Sequence, residues 1–191
     1  MTTSFPINVT LDQPPWLHAE ELERQPPLLD EEEQMRRVLE LTRRNIEEKT
    51  GGPFGAAVFE RDSGQLISAA VNRVQPLRNS TAHAEMIALM LAQKRMGSAR
   101  LDEKGKACVL VTSAQPCSMC FGALPWAGIR GLVIGARREE VETIAGFDEG
   151  PVPERWLEAL HARGIAVRQD VLREEAVATL RLYAECGGDP Y

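Results

Sequence analysis

Cys117 and Cys120 form a Cys-x-x-Cys pair, and this spacing serves either metal binding or thiol redox chemistry. One helical turn brings both sulfurs to one side, which suits a dithiol centre and a metal site alike. The chain has four cysteines and no second Cys-x-x-Cys, which argues against a four-cysteine structural zinc site. Further ligands must come from elsewhere. Three histidines are available: His18, His83 and His161. The tripeptide His-Ala-Glu occurs at residues 18–20 and again at 83–85. His18 lies in a proline-bearing stretch with no strand before it. His83 follows the turn-like Arg78-Asn79-Ser80 and opens a helical pattern. Between His83 and Cys117 there is room for one helix and one strand. The two helix starts can then meet at the ends of neighbouring strands, so His83 is the expected third ligand.

Three protein ligands leave zinc one tetrahedral position for water, the mark of a catalytic site. Zinc lowers the pKa of that water, so bound water or hydroxide becomes a nucleophile near neutral pH. Two thiolates and a neutral imidazole balance the charge of one Zn2+ per chain. The helix start expected at Cys117 favours its thiolate. Glu85 follows His83 by two residues, in position to take a proton from that water and deliver it to a substrate. A structural zinc site has no use for that carboxylate, and a dithiol redox protein has no use for His83.

The elements that hold these residues follow from punctuation and periodicity. Residues 1–29 read as an N-terminal extension, with Pro6, Pro14, Pro15, Pro26 and Pro27 opposing regular structure and Trp16 and Leu17 packing somewhere. Residues 30–191 read as the zinc-bearing domain. Asp30 caps a helix whose first turn holds Glu31, Glu32 and Glu33, and Met35, Val38, Leu39 and Ile46 share its apolar face. Gly51-Gly52-Pro53 ends it. Strands are predicted at 54–59 and 66–74, separated by Asp62-Ser63-Gly64. A helix is predicted over 81–96, a buried strand at 108–112, a helix at 117–127 and a strand at 131–135. Helix 154–162, strand 165–168 and helix 172–185 complete the chain. Strands alternating with helices predict a layered α/β domain.

Composition narrows the class. A chain of 191 residues corresponds to about one domain at roughly 150 residues each. Lys plus Arg is 22 and Asp plus Glu is 28, so the net charge is −6, poorly suited to nucleic acid held by phosphate contacts. The longest apolar-or-glycine run, Met86 to Ala92, is seven residues, and a membrane span needs about twenty. The start of the chain lacks a secretory pattern. The expectation is a soluble, cytoplasmic protein with reduced thiols. Cys108, Cys186, His18 and His161 are read as structural.

Pro116 completes the pattern His-x-Glu with Pro-Cys-x-x-Cys, which resembles the signature of the zinc deaminases. The run Gly52-Pro53-Phe54-Gly55-Ala56-Ala57, then Asn72, then Thr81 to Glu85, then Pro116 to Cys120, resembles the cytidine deaminase-like superfamily over residues 35–135. The resemblance implies a three-layer α-β-α sandwich with a mixed five-stranded sheet, and hydrolysis of an exocyclic amine on a nucleobase-like ring. Within the superfamily the chain is most similar to the bacterial guanine deaminases, in Phe121-Gly122-Ala123-Leu124-Pro125-Trp126-Ala127, in Ile144-Ala145-Gly146-Phe147-Asp148-Glu149, and in the aromatic ending Asp189-Pro190-Tyr191.

That likeness implies guanine as substrate, converted to xanthine and ammonia, with an aminotriazine such as ammeline as a second ring. It implies a homodimer and a second catalytic carboxylate at Glu149. Substrate contacts are expected from Asn72, whose amide both donates and accepts, from Phe54 and Trp126 as stacking rings, with Trp126 facing a neighbouring subunit's site, and from Tyr191 on a closing tail. Each has a plainer reading: solvated loop acid, turn asparagine, core aromatic, frayed chain end. The chain departs from the pattern at Glu149, where Asp is usual, and at the additional Ala145. A tRNA adenosine deaminase or a deoxycytidylate deaminase would share most of these motifs. The first must hold RNA, and the second needs a phosphate site for which no Gly-rich or Arg-clustered candidate appears.

Overall fold

The computed structural model describes residues 8–191, so residues 1–7 of the expected extension lie outside the described residues. The Asp30 side chain accepts from the Glu32 and Glu33 amides at 2.9 and 3.0 Å. A cap of this kind contributes about 1 kcal/mol. The helices are α1 (Ala19–Glu23), α2 (Glu31–Glu47), α3 (Val74–Leu77), α4 (Ala84–Met96), α5 (Ser118–Ala127), α6 (Arg138–Glu140), α7 (Trp156–His161) and α8 (Arg173–Glu185). The strands are β1 (Gly55–Glu60), β2 (Leu66–Val71), β3 (Cys108–Ala114), β4 (Gly131–Ala136) and β5 (Ala166–Arg168).

The sheet order is β2-β1-β3-β4-β5. β1 is antiparallel to both β2 and β3, whereas β3, β4 and β5 run parallel. The sheet is therefore mixed and five-stranded, as the resemblance implied. Helices cover both faces. On one, Met35, Val38 and Leu180 pack against Phe59, Val111 and Val133. On the other, Ile87, Leu89 and Leu124 pack against Val58, Leu110, Leu132 and Ile134. Because both faces are covered, β1 to β4 read as continuous apolar runs rather than alternating ones. Each large apolar side chain removed from water contributes about 1.5–3 kcal/mol.

Three details differ from the sequence expectations. The strand predicted to reach residue 74 stops at Val71. The Asn72 Oδ1 accepts from the Val74 amide at 3.1 Å, which turns the chain out of the sheet and starts α3. The proline-bearing extension contains a short helix, α1. Residues Val141–Ala145 form a π turn. A π turn holds more residues than an α turn, and Phe147, two residues beyond it, is buried in the core.

Candidate active site

β2 and β3 flank β1, and each is antiparallel to it, so they run in the same direction. Their C-terminal ends open at one edge of the sheet, and the helices that follow begin there. His83 occupies the N-cap position of α4, with Glu85 in the first turn. Cys117 occupies the N-cap position of α5, and Cys120 lies one turn on, buried. His83 Nδ1 stands 3.7 Å from Cys117 Sγ and 3.7 Å from Cys120 Sγ. All three ligand atoms lie within 4.8 Å of one another. Tetrahedral zinc with Zn–S of about 2.3 Å and Zn–N of about 2.0 Å separates N from S by about 3.5 Å. The donor set and its spacing thus fit zinc. Among the described residues this is the one His/Cys/Asp/Glu group close enough to hold a metal ion.

The electrostatics follow from burial and mutual hydrogen bonding. The Cys117 thiol is pushed down to about 4, first because the Cys120 thiol donates to it, and further by its bond to His83. The same bond to Cys117, and then burial, hold the Cys120 thiol well above its usual range. Burial opposes a proton on His83, but the bond to Cys117 and the negative charge of Glu85 and Glu149 outweigh it and raise its pKa. Burial raises the Glu85 carboxyl, with His83 pulling it back. Burial pushes Glu149 up to about 8, and the negative charges of Cys117 and Glu85 act in the same direction. A divalent cation among the ligands acts in the opposite sense on both carboxyls. Two carboxyl groups poised between states are suited to carrying protons.

The cavity over these groups has a volume of about 180 Å³ and is lined by Phe54, His83, Glu85, Gln115, Cys117, Ser118, Phe147, Asp148, Glu149, Gly150 and Tyr191. Its roof is aromatic. The Phe147 ring meets Phe54 edge-on at 5.0 Å and Tyr191 edge-on at 5.0 Å. The Tyr183 hydroxyl donates to the Asp189 carbonyl at 2.9 Å and ties the tail down. Tyr191 as a whole residue is 39% exposed, yet its hydroxyl points inward toward Asn72 and Gly52. A Cβ at Gly52 would stand 2.5 Å from that hydroxyl and 3.3 Å from Asn72 Oδ1, so a larger residue there would displace the Tyr191 ring. Burial raises the Tyr191 phenol, which keeps it a neutral donor. The Ser118 amide donates to the Glu149 carbonyl at 3.0 Å and fixes Glu149 beside α5.

Of the residues expected from sequence, His83, Glu85, Cys117, Cys120, Glu149, Phe54 and Tyr191 line one cavity. Asn72 lies just behind, fully buried, with its Nδ2 lacking a protein partner. Trp126 does not line the cavity. It is 80% exposed, off the buried stripe of α5 that holds Cys120, Leu124 and Ala127. Gln115, Ser118, Phe147 and Asp148 went unnamed as site residues. Phe147 and Asp148 precede Glu149 directly, and Gln115 and Ser118 flank Pro116-Cys117, so adjacency was the available signal. Cys108 is buried in β3 against Leu101 and Met96, and Cys186 is exposed.

Comparison with known proteins agrees with this geometry. Residues 29–136 match the family described as the cytidine and deoxycytidylate deaminase zinc-binding region. The solved guanine deaminase from Nitrosomonas europaea is 50% identical, with 96% of this chain and all of that chain covered and a TM-score of 0.89. A solved variant crystallised with 8-azaguanine is 51% identical, with 94% and 99% covered and a TM-score of 0.88. The guanine deaminase of Bacillus subtilis is 35% identical over 115 residues, 60% of this chain and 69% of that one. With residues 29–136, more than half of its length, matching that family, this chain belongs to the cytidine and deoxycytidylate deaminase family of zinc-dependent enzymes.

Proposed function

We propose that the protein hydrolyses the exocyclic amine of guanine, releasing xanthine and ammonia, and takes an aminotriazine such as ammeline as a second ring. The observation that carries this reading is the pair of buried carboxyls, Glu85 and Glu149, facing one small cavity roofed by Phe54, Phe147 and Tyr191. Guanine presents several N–H donors along one edge, and a carboxylate facing them recognises that edge. A volume of about 180 Å³ is small beside the roughly 300–1,000 Å³ of drug-sized sites, which suits a free base better than a nucleotide.

Zinc, when bound, supplies the Lewis acidity that makes water nucleophilic near neutral pH. Glu85 takes the water proton and passes it to the ring nitrogen beside the attacked carbon. The C2–O bond forms, the proton remaining on that oxygen passes to the amine, and the C2–N bond breaks to leave the carbonyl and release ammonia. Glu149 lies across the cavity and serves the amine edge, holding it and relaying that proton. Asn72 offers its unpartnered Nδ2 to a ring acceptor. Phe54 and Phe147 pack on the ring, and Tyr191 closes over it and excludes water.

Ammonia release from guanine, ammeline, adenine, cytosine, cytidine and deoxycytidylate tests the assignment. Guanine is expected to show the highest kcat/KM, with ammeline measurable. Turnover of cytidine or deoxycytidylate without turnover of guanine would sink it.

The same reading includes a homodimer. Trp126, with Phe121, Pro125, Ile129 and Ile165, lines an apolar groove of about 620 Å³ away from the catalytic cavity. A second copy of the chain would cover this face, as exposed apolar patches commonly mark interfaces. Sedimentation velocity should give a dimer for the wild type and a monomer for Trp126→Glu. A wild-type monomer at micromolar concentration would refute it. No helix among the described residues is long and apolar enough to cross a membrane. A cytoplasmic setting, which keeps zinc-ligating thiols reduced, accords with the four free cysteines.

A further inference from the structure

We infer that residues 11–16 of the N-terminal extension brace Asn72, so that Gln13 and Trp16 are positioning residues for the substrate although neither lines the cavity. The inference rests on the guanine reading of the site and on a role for Asn72 within it. The extension lies outside the family match, which begins at residue 29.

β2 is an edge strand. Where it ends, the Val71 amide donates to Gln13 Oε1 at 3.3 Å. On the other side of Asn72, the buried Arg73 guanidinium donates through Nε to the Asp12 carbonyl at 3.1 Å, and through a second nitrogen to the Thr50 carbonyl. Both chain neighbours of Asn72 are thus tied to the extension. A third path runs through side chains. The Trp16 indole donates to Thr50 Oγ1 at 3.0 Å, and Thr50 Oγ1 donates to Asn45 Oδ1 at 2.8 Å. Asn45 Nδ2 then donates to the Gly52 carbonyl at 2.9 Å and the Asn72 carbonyl at 3.0 Å. The Arg44 guanidinium sits 4.6 Å over the Trp16 ring and holds it in place.

These ties converge where tolerance is smallest. A Cβ at Gly51 would fall 1.9 Å from the Asn72 carbonyl oxygen, so loop 51–52 and Asn72 are in contact. The Asn72 Nδ2 is fully buried and has no protein partner. A donor in that state gains from a ligand acceptor only where the two meet at hydrogen-bonding distance, and a small shift of its backbone forfeits the bond.

The test compares wild type, Gln13→Ala and Trp16→Phe, alone and combined with Asn72→Ala. Trp16→Phe keeps an aromatic ring under Arg44 and removes the indole donor together with its five-membered ring. The expected result is a three- to tenfold rise in KM for guanine in each single variant, with kcat within twofold of wild type. In the Asn72→Ala background the same substitutions should leave KM unchanged, because their effect passes through Asn72. Amide hydrogen exchange gives a readout independent of activity, with faster exchange at Val71 and Arg73 expected in Gln13→Ala. Unchanged KM and exchange, or a KM rise of equal size with and without Asn72, would overturn the brace. If wild type fails to deaminate guanine, the function assignment falls by itself, and the exchange measurement still decides the brace.

Discussion

Glu85→Gln should lower kcat for guanine by about 10²–10⁴-fold, the usual contribution of a positioned general acid–base group. Glu85 is 7% exposed, in the first turn of α4, two residues past the ligand His83. Gln fills the same space and keeps hydrogen-bonding capacity but cannot carry a proton. KM is expected to change little, because the lost interaction belongs to the transition state. Zinc should remain at one per chain, because His83, Cys117 and Cys120 are untouched. Stability should hold or rise, since burial already opposes the charged form of Glu85. Steady-state ammonia release together with metal analysis checks all of these points. A kcat within tenfold of wild type would remove Glu85 from the mechanism. Loss of zinc would instead make it part of the metal site.

Cys120→Ala should abolish both zinc binding and activity, and it should also melt earlier. The sulfur it removes is fully buried, at the point where α5 meets α4. The two remaining ligands, His83 and Cys117, do not make a closed site for zinc. An ion present at a thousand times its Kd stabilises the folded chain by about 4 kcal/mol. For a chain of this size that corresponds to roughly 8–16 °C in Tm. Chelation of the wild type separates metal loss from damage to the core. The stripped wild type should melt within a few degrees of the variant, and zinc should restore only the wild type. A wild-type Tm unmoved by a chelator would mean that these three residues hold no metal of consequence.

Much of the centre was legible because its spacing is local. Cys117 and Cys120 are one helical turn apart, and His83 and Glu85 share a helix start, so no distant contact is needed to relate them. The helix capped by Asp30 and the buried runs of β3 and β4 were equally legible, since caps and apolar runs act over a few residues. The end of β2 was not. Its apolar pattern continues to Val74, but the Asn72 side chain competes for the Val74 amide and turns the chain two residues before it.

By itself, then, the order of residues determined which groups could ligate zinc, which carboxylate accompanies them, and the alternation of helix and strand. Short-range geometry sets these, through 3.6 residues per helical turn and the burial of apolar runs. Tertiary structure alone decided that β2 and β3 point the same way on either side of β1, which brings His83 to the two sulfurs. It also carried Glu149 and Tyr191 across the chain by packing Phe147 between Phe54 and Tyr183. The exposure of Trp126 and the ties from Gln13 and Trp16 to the strand end around Asn72 belong to the same level. Such contacts join residues far apart in sequence, and only the packed chain holds them together long enough to be chemistry.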